Sequence, residues 1–203
     1  MEDAPQGPVP GATSDERLLA PPRRDHDRFI DTDPWRVLRI QSEIVHGFDA
    51  LAGVGPAVTL FGSARTTEAS PEYALAVRTA QRLGESGYSI ITGGGPGIMQ
   101  AGNEGARLAG ARSVGLNIEL PFEQRPNPYC DISLHFRYSF VRKLMLVKYA
   151  TAFIIFPGGF GTIDELMEAL TLVQTGKIRN FPIVLVGTTY WSGLIDWMRR
   201  ALV

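Results

Sequence analysis

Cysteine is almost missing from this chain of 203 residues, with Cys130 the single one. An intramolecular disulfide and a cysteine zinc cluster are thereby excluded. Histidine is as sparse: His26, His46 and His135 stand far apart and show no metal-ligand spacing. An excess of either charge is lacking too, with 20 Lys+Arg against 21 Asp+Glu. That balance excludes a general electrostatic grip on nucleic acid, though not a local basic pocket. Long apolar runs are absent. The longest, Ala152 to Phe156, is far short of the ~20 residues that span a bilayer. Met1-Glu2-Asp3 opens no apolar stretch, so no secretory signal is read there. The expectation is a soluble cytoplasmic protein that needs no membrane and no nucleic acid.

Apolar residues make up 44% of the chain. A chain this long buries roughly 70% of its unfolded surface without a metal or disulfide staple. Residues 1–33 differ from the rest, holding Pro5, Pro8, Pro10, Pro21 and Pro22 and almost no apolar periodicity. They read as a flexible tail. Residues 34–203 read as one α/β domain. Asp33-Pro34 looks like a helix start, with Trp35, Leu38, Ile44, Val45, Phe48 and Leu51 following at helical spacing. From there, apolar strand candidates alternate with helix patterns. The strands are placed at 57–61, 88–91, 113–118, 132–136, 152–156 and 182–186. A proline-rich loop, Pro121 to Pro128, follows the third. This alternation predicts a Rossmann-like, doubly wound parallel sheet with helices on both faces. Ligands of such sheets bind beyond the carboxyl ends of the strands, which directs attention to the turns.

Three turns stand out. Gly62-Ser63-Ala64-Arg65 follows the first strand and offers small residues with an arginine for an anion. It reads equally well as an ordinary turn. Gly93-Gly94-Gly95-Pro96-Gly97-Ile98-Met99 joins a strand to a helix with more glycine than turning requires. The dinucleotide fingerprint fails there, because its last glycine would fall on Gln100. No G-x-x-x-x-G-K-[ST] occurs either, which disfavours a P-loop enzyme. The third turn is Pro157-Gly158-Gly159-Phe160-Gly161-Thr162-Ile163-Asp164-Glu165. Thr162 and Glu165 have capping-box spacing. Alternatively the glycine amides and the Thr162 hydroxyl cradle a phosphate, with Glu165 turned toward a sugar. Three glycines exceed what a capping box needs, and the cradle is favoured.

Lysine occurs only at 143, 148 and 177, so arginine supplies 20 − 3 = 17 of the basic residues. Two of the three lysines sit beside Arg142 on the helix pattern of residues 139–150.

The Gly93–Met99 turn, Arg142-Lys143 and the Pro157–Glu165 turn together closely resemble the Lonely Guy (LOG) family of cytokinin-activating phosphoribohydrolases. The resemblance covers roughly residues 57 to 200, and Leu116 to Glu123 resembles its larger bacterial subgroup. Those members usually continue further, so a segment beyond Val203 is expected. The resemblance implies hydrolysis of the N-glycosidic bond of adenosine 5′-monophosphate, best when the exocyclic nitrogen carries an isoprenoid. It implies Arg142 and Glu165 as the catalytic pair. It places substrate and phosphate on Gly62, Ser63, Gly94, Gly95, Gly97, Met99, Lys143, Gly158, Gly159, Gly161 and Thr162. It implies no metal or cofactor, and a homo-oligomer.

The chemistry agrees. Glycoside cleavage passes through an oxocarbenium-like state that a carboxylate near the sugar stabilises. A neighbouring arginine suits either the departing base or the holding of that carboxylate. Glu119, at the end of the third strand, is a weaker candidate for ribose hydroxyls. Met99, Phe160, Tyr138 and Phe136 are candidates for an apolar base pocket, with Phe136 more at home in the core. A broad nucleotide 5′-monophosphate nucleosidase and a nucleotide binder without turnover remain as alternatives. A pyridoxal decarboxylase on Lys143 and a single-stranded-DNA binder fit poorly.

Overall fold

The computed structural model describes residues 12–20, 33–120 and 126–202. Six strands form one parallel sheet in the order β4-β3-β2-β1-β5-β6. The strands are β1 (Ala57–Phe61), β2 (Ser89–Thr92), β3 (Ser113–Ile118), β4 (Ile132–Phe136), β5 (Ala152–Ile155) and β6 (Ile183–Leu185). The helices are α1 (Ser14–Leu19), α2 (Asp33–Leu51), α3 (Pro71–Glu85), α4 (Ile98–Leu108), α5 (Ser139–Lys148), α6 (Phe160–Gln174) and α7 (Thr188–Ala201). The expected fold class is therefore observed, with strand ends shifted by one residue at most.

Strand alternation makes two cores. Val58, Leu60 and Ile90 face α3 and α4, against Tyr73, Ala76, Ala80, Ile98 and Ala101. Ala57, Phe61, Ile91 and Phe153 face the other side, against Val141, Met145, Leu166 and Trp191 from α5, α6 and α7. Helices thus cover both faces, as strands that are apolar throughout require. Local signals explain the helix starts. Ser70 caps α3, its hydroxyl accepting from the Tyr73 amide, with Pro71 at the first position. The connection from β3 to β4 holds no helix among its described residues, although the two strands pair in parallel.

The chain winds from β1 outward through β2, β3 and β4, then returns through α5 to β5 on the other side of β1. The strand order reverses between β1 and β5, and a crevice opens where the following turns part. Two expectations for the N-terminal region meet different outcomes. Residues 1–11 and 21–32 of the expected tail lie outside the described residues, as do residues 121–125 of the proline-rich loop. Residues 14–19, within the expected tail, instead form α1, closed by a Thr13/Glu16 capping box. The threonine-glutamate capping pattern there is what the proline content obscured.

Candidate active site

A cavity of about 660 Å³ opens at the reversal point. Its wall comes from the turn after β1 (Gly62, Ser63, Ala64, Arg65), the head of α6 (Gly159, Phe160, Gly161, Thr162) and Met99 of α4. Arg142 and Glu165 also line it. The two face each other, Arg142 Nη2 lying 3.9 Å from Glu165 Oε1. Glu165 is 3% exposed. Its Oε2 and Arg142 Nε are buried with no hydrogen-bond partner. Buried polar atoms are rarely left so, and both belong to side chains that line the cavity.

Burial pushes the Glu165 carboxyl up to about 7, outweighing the pull of Arg142 and Lys143 in the other direction. Burial also lowers Arg142 from its ordinary value, partly countered by Glu165, Asp164 and Asp15. A carboxyl that titrates near neutrality can hold or release a proton during a reaction.

The head of α6 explains its own openness. Gly159 is the N-cap, and no side chain caps the helix. Thr162 is the third helical residue, its N–H bonded to the Gly159 carbonyl at 3.0 Å. The capping box therefore does not form, and Glu165 is free to turn inward. A Cβ added at Gly159 or Gly161 would meet nothing within 4 Å. The first N–H groups of a helix lack internal partners and carry partial positive charge. Together they make an accessible anion seat.

Of the glycines after β2, Gly93 lines the cavity, whereas Gly94 and Gly97 serve the packing of the turn. Gly94 and Gly97 have φ of +73° and +69°. A Cβ at Gly94 would come within 2.6 Å of the Asn117 side chain, and one at Gly97 would strike the Ser63 carbonyl. Asn127 donates to the Gly95 carbonyl at 3.1 Å and to Asn103 Oδ1 at 2.9 Å. Thr92 donates to Asn103 Oδ1 at 2.6 Å, and its hydroxyl accepts from the Gly94 amide. Ile98 N–H donates to the Ser63 carbonyl at 3.1 Å, and Ser63 N–H to the Pro157 carbonyl at 3.0 Å. The three turns are thus laced together.

Of the anticipated residues, the cavity gathers Arg142, Glu165, Gly62, Ser63, Met99, Gly159, Gly161 and Thr162. It does not gather Gly94, Gly95, Gly97, Gly158 or Lys143. Gly158 is needed for close approach, since a Cβ there would run into the Thr162 hydroxyl. Lys143 Nζ lies 2.8 Å from both Asp164 and Glu168. Burial acts to lower this ammonium, but those two bonds outweigh it and push it up to about 12. Phe136 and Tyr138 are core, each 1% exposed, whereas Phe160 is 92% exposed at the rim. Glu119 accepts from the Ser14 amide at 2.8 Å. Sequence reasoning passed over Asn103, Asn117 and Asn127. A polar residue amid small ones on the buried face of α4 was the available signal for Asn103.

Among the described residues, no helix is long and apolar enough to cross a membrane. A family model described as "Possible lysine decarboxylase" matches residues 99–203. The probable cytokinin riboside 5′-monophosphate phosphoribohydrolase of Oryza sativa subsp. japonica is 31% identical over 149 residues, 70% of this chain and 58% of that protein. The pyrimidine/purine nucleotide 5′-monophosphate nucleosidase of Escherichia coli is 32% identical over 57% of this chain and 28% of its own length. An uncharacterised protein of Archaeoglobus fulgidus is 30% identical over 57% of this chain and 75% of its own. The chain thus spans little more than half the length of the plant relative. Among solved structures, the molybdenum cofactor carrier protein of Chlamydomonas reinhardtii matches with a TM-score of 0.53 at 22% identity, covering 70% of this chain and 85% of that one. At that identity the likeness concerns the fold.

Proposed function

The chain belongs to the LOG family, whose model bears the lysine decarboxylase description, and on that premise we propose that it hydrolyses the N-glycosidic bond of nucleoside 5′-monophosphates. The observation that carries the reading is Glu165: buried, titrating near 7, with an unpartnered oxygen facing Arg142 in the cavity. A protein that only held an anion would gain little from a buried carboxylate beside it.

The phosphate sits at the head of α6, on the amides of Gly159, Phe160 and Gly161 and the Thr162 hydroxyl. Arg65 on the facing turn adds a cation. Held there, the phosphate supplies remote binding energy that orients the sugar. The bond between the base nitrogen and the anomeric carbon then breaks, its electron pair leaving with the base. Glu165 stabilises the positive charge on the sugar and takes a proton from the attacking water. The water oxygen bonds to the anomeric carbon, the departing base takes up a proton from solvent, and Glu165 releases the proton it took from the water back to solvent. The products are free base and ribose 5-phosphate. Arg142 holds Glu165 toward the sugar.

Met99, Leu120 and Phe160 give the rim an apolar side that suits an isoprenoid on the adenine. A cytokinin nucleotide is thus the preferred substrate, handled in the cytoplasm. The exposed Phe140 and Leu144 of α5, with Phe160, suit contact with a second copy. The decarboxylase description gains no support from Lys143, whose ammonium is tied to two carboxylates.

The test is a panel of AMP, isopentenyl-AMP, CMP and unphosphorylated adenosine, with release of free base followed by chromatography. Isopentenyl-AMP should be cleaved fastest and adenosine hardly at all. Equal rates across the monophosphates would replace cytokinin activation by general nucleotide breakdown. Cleavage of adenosine as fast as AMP would remove the phosphate seat from the account.

A further inference from the structure

The head of α5 is held by residues from far earlier in the chain. Tyr138, at its N-cap, supplies no side-chain cap. A helix leaves its first N–H groups without internal partners. Here carboxylates take three amides at that end. Glu43 of α2 accepts from the Arg137 N–H at 3.1 and 3.2 Å and from the Tyr138 N–H at 3.4 Å. Asp15 of α1 accepts from the Ser139 N–H at 2.9 Å. Negative charge also suits the positive end of the helix dipole.

α1 is in turn fastened at three points. The Thr13/Glu16 box closes its start. Ser14 N–H reaches Glu119 at 2.8 Å, just past β3, where the flanking Ile118 and Leu120 line the cavity. Leu18 packs on the core that contains Tyr138 and Val141. Arg142 lies within the first turn of α5, its N–H bonded to the Tyr138 carbonyl at 3.2 Å. What fixes the head of α5 therefore fixes the base of Arg142. The charge of Asp15 also reaches the Arg142 guanidinium.

We propose that the N-terminal segment is a clamp on the catalytic helix, with Asp15 and Glu43 as positioning residues that aim Arg142 at Glu165. The proposal rests on the hydrolase reading of the site. It assigns work to residues 12–20 and 33–51, which lie outside the glycine turns and are not among the residues that line the cavity.

Full-length Asp15→Ala, Glu43→Ala and Glu43→Gln variants test it. The readouts are steady-state cleavage of isopentenyl-AMP across pH, thermal melting, and hydrogen exchange at the amides of residues 139–142. In Glu43→Ala, kcat should fall by about 10- to 100-fold while KM moves less than about threefold, the signature of a displaced catalytic group. The acid limb of the kcat profile should move to higher pH, because Arg142 no longer holds the Glu165 carboxyl down. Asp15→Ala should shift both in the same direction by less. Glu43→Gln keeps an oxygen for the amides and should recover most of kcat. Melting lowered with kcat and the acid limb unchanged would overturn the clamp and leave ordinary helix capping. Should wild type cleave nothing, the hydrolase reading fails, and exchange and AMP affinity decide the clamp alone. Faster exchange with weaker AMP binding in the variants would then uphold it, and unchanged exchange would overturn it.

Discussion

Two turns of this protein look alike in sequence and do opposite things. Gly93–Gly97 and Gly158–Gly161 each join a buried strand to a helix. In the first, glycine is demanded by the protein itself. Gly94 and Gly97 have positive φ, and a Cβ on either would strike the Asn117 side chain or the Ser63 carbonyl. In the second, Gly159 and Gly161 face open space, and neither has positive φ. No packing contact demands glycine at these two positions, which supports the proposed phosphate seat. A glycine that a Cβ could replace without contact, beside a buried carboxylate with a bare oxygen, marks a ligand's place. A glycine that a Cβ could not replace marks packing.

The largest effect expected belongs to the open turn. Glu165→Gln should lower kcat by about 10²- to 10⁴-fold, the usual worth of a positioned acid–base group, as measured by base release. The same variant should show the sign of the carboxyl's burial. Folded Glu165 titrates near 7 against the ordinary 4.5. The folded state therefore holds more protons between those values, and stability falls as pH rises through that window. Urea unfolding at about pH 5 and about pH 8 should show this loss in wild type and little of it in Glu165→Gln. Cleavage runs the other way, with kcat rising through pH 7 as the carboxylate forms.

Next comes the closed turn. Gly97→Ala forces a left-handed residue onto the Ser63 carbonyl, and should cost about 1–3 kcal/mol or more in denaturant unfolding. Asn103→Ala removes the hub that joins Thr92, Ser113 and Asn127. It should cost about 1–3 kcal/mol, since buried partners are left unsatisfied, while AMP affinity in the folded protein changes little. The smallest effect sharpens the contrast most. Gly161→Ala lies inside α6 and should raise stability by about 0.5–1 kcal/mol, yet raise the KM for AMP by crowding the phosphate seat. A Gly161→Ala protein that lost stability would merge the two turns into one class.

Much of this was legible beforehand. The sheet, its helices and the open turn at Gly159, Gly161 and Thr162 follow from apolar periodicity and from glycine placed after strands, whereas the pairing of Arg142 with Glu165 came from the resemblance to the LOG family. What sequence could not separate was the use of each glycine, because backbone torsion and neighbouring side chains decide it. Gly94, Gly95, Gly97 and Gly158 were expected on the ligand; they are not among the residues that line the cavity, and at Gly94, Gly97 and Gly158 a side chain would clash with the turns themselves. Lys143 was expected there too, but α6 brings Asp164 and Glu168 to it, an encounter that sequence spacing does not display. Glu119 was weighed as a ribose ligand, and it holds α1. The Asn103–Asn127 link spans 24 positions, and long-range polar pairing has no local signature.

The central claim is that the open turn and Glu165 together perform a hydrolysis. The most direct measurement follows free adenine and ribose 5-phosphate from AMP with wild type and with Glu165→Gln, while calorimetry records AMP binding to both. The account predicts equimolar products from wild type, with the variant binding AMP within a few-fold yet releasing at least about 10²-fold less. Tight binding to wild type with no release, or equal release by both proteins, would contradict it.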